Sequence, residues 1–211
     1  MSIKKEYYKN LATTVLKGLE KRHMEGHYCD SIEDAKNLAL SLVPENASAS
    51  FGGSVTLEET GILDALRNRA DLTLFDRATG KNPEEVKKIM HDALSCDYYF
   101  MSSNAITHDG ELVNIDGNGN RVAALIYGPE NVIIVAGMNK ICKDVEEGIS
   151  RTRNVASPQN CVRLNKNTPC AVNGACGNCL ADTICDQIVI TRASRTPKRI
   201  KVILVGKEFG Y

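Results

Sequence analysis

The sequence has no excess of charge of either sign. Its 211 residues include 26 Lys and Arg and 26 Asp and Glu, so the formal net charge is zero. Domains that bind nucleic acid commonly carry a surplus of basic residues, and we therefore expect no nucleic-acid partner. The chain is long enough to bury a full-sized core, and nothing in it resembles a linker, so we treat residues 1–211 as a single domain.

Long hydrophobic runs are also missing. The longest apolar stretches, Val122 to Tyr127 and Val132 to Ala136, are far shorter than the ~20 residues that span a bilayer. Residues 1–25 have a charged amphipathic pattern without the apolar core of a signal peptide. We therefore expect a cytoplasmic protein without a membrane span.

Nucleotide-binding fingerprints are absent too. The chain contains neither a GxGxxG motif nor a P-loop, and it has no internal repeat or low-complexity segment. We therefore expect no bound nicotinamide or flavin, and any redox chemistry would need partner subunits.

The sequence does contain alternating helical and strand patterns. Apolar residues at steps of three and four predict helices over Lys4 to Arg22, Ser31 to Leu42, Leu57 to Arg69, Pro83 to Leu94 and Cys142 to about Arg153, with a shorter one after Pro158. Short apolar runs predict strands over Ala47 to Phe51, Leu72 to Phe75, Tyr98 to Met101, Ala105 to Thr107, Glu111 to Ile115, Val122 to Tyr127, Asn131 to Ala136, Gln187 to Arg192 and Ile200 to Val205. This order predicts an α/β domain with a mainly parallel, doubly wound sheet covered by helices.

A glycine-rich turn follows the strand predicted at Ala47 to Phe51. Gly52 and Gly53 allow the backbone to approach a ligand, and the amides near Ser54 and Thr56 can bind a carboxylate or phosphate. A tight strand-to-helix turn capped by Ser54 or Thr56 is the alternative interpretation.

A polar segment, residues 103–121, follows the strand predicted at Tyr98 to Met101. Ligands bind at the carboxyl ends of the strands in parallel sheets, so this segment is a second candidate. Its candidate ligand-binding residues are Asn104, Thr107, Asp109, Gly110 and Asn114. Two structural hairpins are the alternative, and His108 is either a base or an ordinary turn residue.

Asn139 and Lys140 follow the strand predicted at Asn131 to Ala136. This position can place an amine over the same cleft, where a cation suits a carboxylate ligand. A solvated lysine at a helix start is the alternative.

Four of the eight cysteines, Cys170, Cys176, Cys179 and Cys185, fall within sixteen residues. The two-residue gap between Cys176 and Cys179 lets both thiolates reach one metal, and the other two complete a set of four ligands. The small apolar segment favours an iron–sulfur cluster, of the four-iron four-sulfur type, over the alternative of zinc. Free or disulfide-paired thiols remain open, and Cys161 is a possible substitute ligand.

Several of these motifs together resemble the lactate-utilisation (LUD-domain) family. They are Gly52-Gly53-Ser54 with Thr56 and Glu58, the segment from Asn104 to Arg121, Gly128-Pro129 and Gly137 to Lys140. The resemblance covers nearly the whole chain. It implies a fold similar to that of the sugar-phosphate isomerase and CoA-transferase superfamily, with a Cys-rich excursion at about residues 168–187, and a cytoplasmic role in oxidising lactate or a similar 2-hydroxy acid.

The resemblance does not assign catalytic residues, since Glu58, Asp109, Glu111 and Asp116 match no catalytic motif of that superfamily. Three functions therefore remain open. The first is an accessory or electron-transfer subunit that works with partner subunits in 2-hydroxy-acid oxidation. The others are an isomerase- or CoA-transferase-like enzyme for a small carboxylate or phosphate metabolite with a structural zinc site, and a module that senses redox state or a metabolite.

Overall fold

A computed structural model describes residues 2–211, which form two β-sheets and the helices around them. The strands are β1 (Glu25–Cys29), β2 (Ser48–Phe51), β3 (Thr73–Phe75), β4 (Tyr98–Met101), β5 (Ala105–Thr107), β6 (Leu112–Asp116), β7 (Asn131–Gly137), β8 (Ile141–Cys142), β9 (Gln187–Thr191) and β10 (Ile200–Val205). The helices are α1 (Ile3–Lys21), α2 (Ile32–Ser41), α3 (Val55–Glu59), α4 (Ile62–Arg67), α5 (Pro83–Asp92), α6 (Asn120–Tyr127), α7 (Val145–Arg151), α8 (Ser157–Arg163) and α9 (Pro169–Asn173), and the π-helical segment Thr152–Ala156 joins α7 to α8.

The larger sheet has six parallel strands in the order β1-β10-β7-β4-β2-β3. Successive side chains of a strand point to opposite faces. In β7, Val132 and Ile134 therefore join one apolar cluster, whereas Ile133 and Val135 join the other. A sheet buried on both faces in this way confirms the predicted α/β class.

The smaller sheet has four strands in the order β8-β5-β6-β9 and was not predicted as a separate layer. Strands β5 and β6 form the expected antiparallel hairpin, while β9 pairs antiparallel with β6. The hairpin turn includes Gly110 at φ +87°, a backbone conformation that favours glycine. Helix α7 packs Val145 and Ile149 against Ala105 and Val113 of this sheet.

The strand predicted at Val122 to Tyr127 is wrong, because these residues form most of helix α6. Val122 and Leu125 are buried, but Ile126 and Tyr127 are exposed. A continuous apolar run does not distinguish a short helix from a buried strand by periodicity alone. The buried residues Val122 and Leu125 are three positions apart, as expected for a helix, but this spacing cannot be recognised in the sequence because every residue of the run is apolar.

Three other features differ from the prediction. First, strand β1 was not predicted. The helix predicted at Leu57 to Arg69 is divided into α3 and α4 by Gly61, whose φ is +68°. Cys142 ends β8 and does not begin a helix, because Asp144 caps α7 by accepting a hydrogen bond from the amide of Glu147. No helix within residues 2–211 is long and apolar enough to cross a membrane.

Candidate ligand-binding cleft

A cavity of about 420 Å³ lies at the carboxyl edge of the larger sheet. Its first wall consists of the segments that leave four parallel strands: residues 53–56 after β2, 102–104 after β4, Lys140 after β7, and 210–211 after β10. Residues 115–118, the start of α6, α8, and residues 183–186 near the last cysteine form the facing wall. The parallel topology therefore explains why the four segments of the first wall lie together.

Lys140 lies at the base of this cavity and is only 4% exposed. Its Nζ donates to Thr56 Oγ1 at 2.9 Å and to Ser102 Oγ at 3.1 Å. Burial, followed by the charges of Arg151 and Arg121, lowers the pKa of Lys140 from 10.5 to about 7. A lysine with this pKa is half neutral near physiological pH, which a solvated lysine is not.

Arg121 is a buried cation that holds the loops of the cleft in place. Its guanidinium donates to the carbonyls of Ser102 and Ile115 at 3.1 and 2.5 Å. It also donates to the side-chain oxygens of Asn104 and Asn114 at 3.1 and 2.5 Å. Burial lowers the pKa of Arg121, but an arginine stays charged in proteins. The Asn104-to-Arg121 motif thus folds around its own last residue.

Arg151 connects the two sheets from below the cleft. It lies at the end of α7, which packs on the smaller sheet, and donates to the carbonyls of Asn139 at 2.9 Å and Asn104 at 2.7 Å. Its charge therefore lies close to Lys140, where it disfavours a second cation.

The glycine-rich turn forms part of the rim of the cavity. Ser54 caps α3 through the amide of Leu57, as the alternative interpretation of this turn anticipated. The Arg77 guanidinium lies so close to Gly53 that a Cβ there would approach it to 2.7 Å. No hydrogen bond or ion pair to another side chain engages the Arg77 guanidinium within residues 2–211, so this cation faces the cavity without a partner.

The structure brings only some of the predicted ligand-binding residues to the cavity: Gly53, Ser54, Thr56, Asn104 and Lys140. Gly52 and Asn139 precede the lining residues Gly53 and Lys140 in sequence but do not line the cavity themselves. Asn139 instead fixes the chain end, because its side chain bonds the backbone of Phe209 and Gly210. Asn114 is completely buried beneath Arg121.

Thr107, Asp109 and Gly110 lie away from the cavity, at the turn of the β5–β6 hairpin. Asp109 and Gly110 contact α1 at Gly18 so closely that a Cβ on Gly18 would be 2.4 Å from the Asp109 carbonyl carbon. Thr107 bonds to Glu111, whose carboxylate pairs with Arg22 of the segment after α1. The contacts of these three residues are those of a packing site.

The cysteine segment forms part of the region beside the cavity. Cys170 is buried in α9, whereas Cys176, Cys179 and Cys185 are partly exposed. Burial raises the pKa of Cys185, and the nearby thiols of Cys170 and Cys176 also raise it. Burial likewise raises the pKa of Cys161 to about 11, with Cys170 and Cys185 among its neighbours. Cys161 of α8 therefore belongs to the same group of thiols.

Within residues 2–211, no three side chains of His, Cys, Asp or Glu stand close enough together to form a ready-made metal site. Among residues 2–211, no hydrogen bond joins Cys179 to another thiol. Cys176 instead accepts a hydrogen bond from Arg153 at 3.4 Å, and the same guanidinium reaches Asn178 at 2.7 Å. Metal binding by the four cysteines therefore stays a prediction.

Sequence reasoning missed four residues that shape the cleft. Ser102 directly follows a correctly predicted strand, so its position could have been inferred from topology. Arg121 was noticed only as part of a motif. Arg77 and Arg151 have no local signal, because a surface-like arginine in a helix or turn looks the same whether or not the chain folds it toward a cavity.

Comparison with known proteins gives a family match and a fold match. A family model described as LUD domain matches residues 12–205. The crystal structure of a DUF162 family protein from Deinococcus radiodurans is similar, with a TM-score of 0.54, 12% identity, and coverage of 94% of this chain and 98% of that chain. The delta subunit of eIF2B from Chaetomium thermophilum matches at a TM-score of 0.37 and 16% identity over 54% of this chain and 49% of its own. No curated protein matches the sequence.

Proposed function

The chain belongs to the LUD domain family, and on this premise we propose that its cleft binds a small carboxylate of the 2-hydroxy-acid class, such as lactate. The protein acts as an accessory or electron-transfer subunit that works with partner subunits when this acid is oxidised. The family supports the general context, and the charges in the cleft support the class of ligand.

The observation that carries this proposal is an excess of cationic side chains without carboxylate partners. Lys140 at the base and Arg77 at the rim both face the cavity without an ion pair within residues 2–211. The charge of Arg121 beneath them is paired, because its Nε lies 3.5 Å from the buried carboxylate of Asp116. A carboxylate that enters this space gains charge-assisted hydrogen bonds. The volume of about 420 Å³ falls in the usual range for small-molecule sites and leaves room beside lactate.

The second part of the proposal concerns the cysteines. We propose that Cys170, Cys176, Cys179 and Cys185 hold an iron–sulfur cluster, whose chemistry when bound is one-electron transfer. The donor set supports this, because thiolates are the ligands that such clusters require, and three of the four thiols already influence one another. Thr183 and Ile184, just before Cys185, line the cleft, so the segment lies beside the ligand.

Calorimetric titration tests the cleft. We expect lactate and pyruvate to bind, and propane-1,2-diol, which has no carboxylate, not to bind. Arg77→Gln should weaken binding by about tenfold or more, since a hydrogen bond to a charged group contributes about 1.5–3 kcal/mol. Lys143→Gln is the matched control, because Lys143 is exposed and does not line the cavity.

Two results would overturn the assignment. Equal binding of the diol would show that the carboxylate is not recognised. Tighter binding of inorganic phosphate than of either acid would instead assign the cleft to a phosphate metabolite.

A specific observation favours a second candidate, an enzyme that acts on the same small carboxylate. Lys140 has a pKa of about 7, and a group with such a pKa can accept and donate a proton at neutral pH. A purely structural or electron-relaying cleft has no need of that property.

A further inference from the structure

Lys140 combines three features that the binding of an anion does not require. It is almost completely buried, it has no carboxylate partner, and both of its hydrogen bonds go to hydroxyl groups. An exposed lysine or a bidentate arginine would attract a carboxylate without the free-energy penalty of burial. The arrangement is typical of an amine that is kept neutral to react.

We propose that Lys140 is a nucleophile that condenses with the carbonyl group of a 2-oxo acid, the product class of 2-hydroxy-acid oxidation. This inference rests on the proposed carboxylate-binding function of the same cleft. It adds covalent chemistry at a named atom, Nζ of Lys140, and a specificity for the oxidised over the reduced acid.

Burial and two nearby cations favour the neutral amine at Nζ, and one carboxylate opposes them. Arg151 of α7 and Arg121 of α6 both oppose a third positive charge. The acidic group that favours the charged form is Glu59 of α3, but its carboxylate accepts a hydrogen bond from the amide of Gly210 at 2.8 Å. Gly210 also closes the site, since a Cβ there would stand 2.7 Å from Thr56 Oγ1 and 3.5 Å from Lys140 Nζ.

The reaction balances with one proton from solvent. The lone pair of the neutral amine attacks the carbonyl carbon and forms a C–N bond while the π bond of the carbonyl breaks, and one proton passes from the nitrogen to the oxygen to give a hydroxyl. A second proton, taken from solvent, lets this hydroxyl leave as water and gives a protonated imine. Thr56 and Ser102 lie at 2.9 and 3.1 Å from Nζ and can relay the protons. Arg77, the cation of the cavity without a partner among the described residues, holds the substrate carboxylate, and no oxidant or reductant is needed.

Reductive trapping tests the proposal. The protein is incubated with pyruvate and sodium cyanoborohydride, digested, and analysed by mass spectrometry. We expect one reduced pyruvate adduct on the peptide that contains Lys140, and loss of this adduct in Lys140→Arg. Lys143→Arg, three residues away, should keep it. An adduct spread over surface lysines, or none in wild type, would overturn the proposal.

The pH profile separates this amine from an ordinary lysine. Trapping should be half-maximal near pH 7, whereas exposed lysines need a pH close to 10. Ser102→Ala keeps the amine and should slow trapping several-fold, which covers the case in which Lys140→Arg fails to fold. An unchanged rate in Ser102→Ala would contradict the relay.

Competition distinguishes failure of this proposal from failure of the proposed function. Lactate has the carboxylate but no ketone group, so it should occupy the cleft and suppress trapping without forming an adduct. Calorimetric binding of pyruvate without an adduct would reject the imine and leave the carboxylate site standing. Absence of binding and of trapping would reject both.

Discussion

At the residue scale, Lys140 is a side chain whose burial opposes folding. Its pKa is 10.5 in the unfolded chain and about 7 in the folded protein. Between these two values the unfolded chain binds more protons, so the free energy of unfolding rises with pH. The full difference corresponds to about 5 kcal/mol that the protein lacks below pH 7, at about 1.4 kcal/mol per pKa unit.

Lys140→Met removes this penalty while it fills a similar volume. We expect the variant to exceed wild type in free energy of unfolding by a few kcal/mol at pH 6, with the gap narrowing as the pH rises from 7 to 10. Urea unfolding at several pH values measures it. Lys143→Met, whose lysine is exposed, should show no such trend. A gap that is constant with pH would mean that Lys140 is not held neutral.

At the element scale, five of the six strands of the larger sheet were predictable, and only β1 was missed. β4 and β10 were predicted to the residue, because short, mainly apolar runs between turn residues leave few alternatives. An apolar run of the same kind made α6 appear as a strand. The smaller sheet could not be foreseen, since the pairing of β6 with β9 joins segments more than 70 residues apart, and local patterns carry no information on such contacts.

The cysteine segment is an element whose role depends on what it binds. Protein purified without oxygen should contain iron and acid-labile sulfide, with a broad absorption band near ~400 nm. Changing Cys170, Cys176, Cys179 or Cys185 to Ser should abolish the metal content. Cys29→Ser is the control, because Cys29 lies in β1.

Elemental analysis also decides between the two metals and between the candidate cysteine ligands. Zinc without colour would replace the cluster by a structural site, and loss of metal in Cys161→Ser but not in Cys179→Ser would place Cys161 in the ligand set. Metal-free protein under these conditions would reject metal binding by the segment.

At the scale of the whole molecule, the cleft was predictable in outline. Gly53, Asn104 and Lys140 were identified as candidates because each follows a strand of a parallel sheet, and such ends meet at one edge. The chemical state of Lys140 was not predictable. It depends on Arg121 and Arg151, which reach the site from different helices, and the sequence does not tell which distant cations the fold assembles.

The contact between the two sheets therefore sets the reactivity of the site. Substitutions of Arg151 test this dependence. Arg151→Met removes a charge that lowers the pKa of Lys140, so that pKa should rise. Arg151→Lys keeps the charge, although it loses the two-carbonyl geometry, and should leave the pKa nearer 7. For each Arg151 variant, the free energy of unfolding is measured against pH with and without the additional substitution Lys140→Met. The pKa of Lys140 in that variant is the pH at which the difference between the two free energies begins to narrow. If Arg151→Met and Arg151→Lys shift it equally, the effect is structural, and the electrostatic link between the two sheets is refuted.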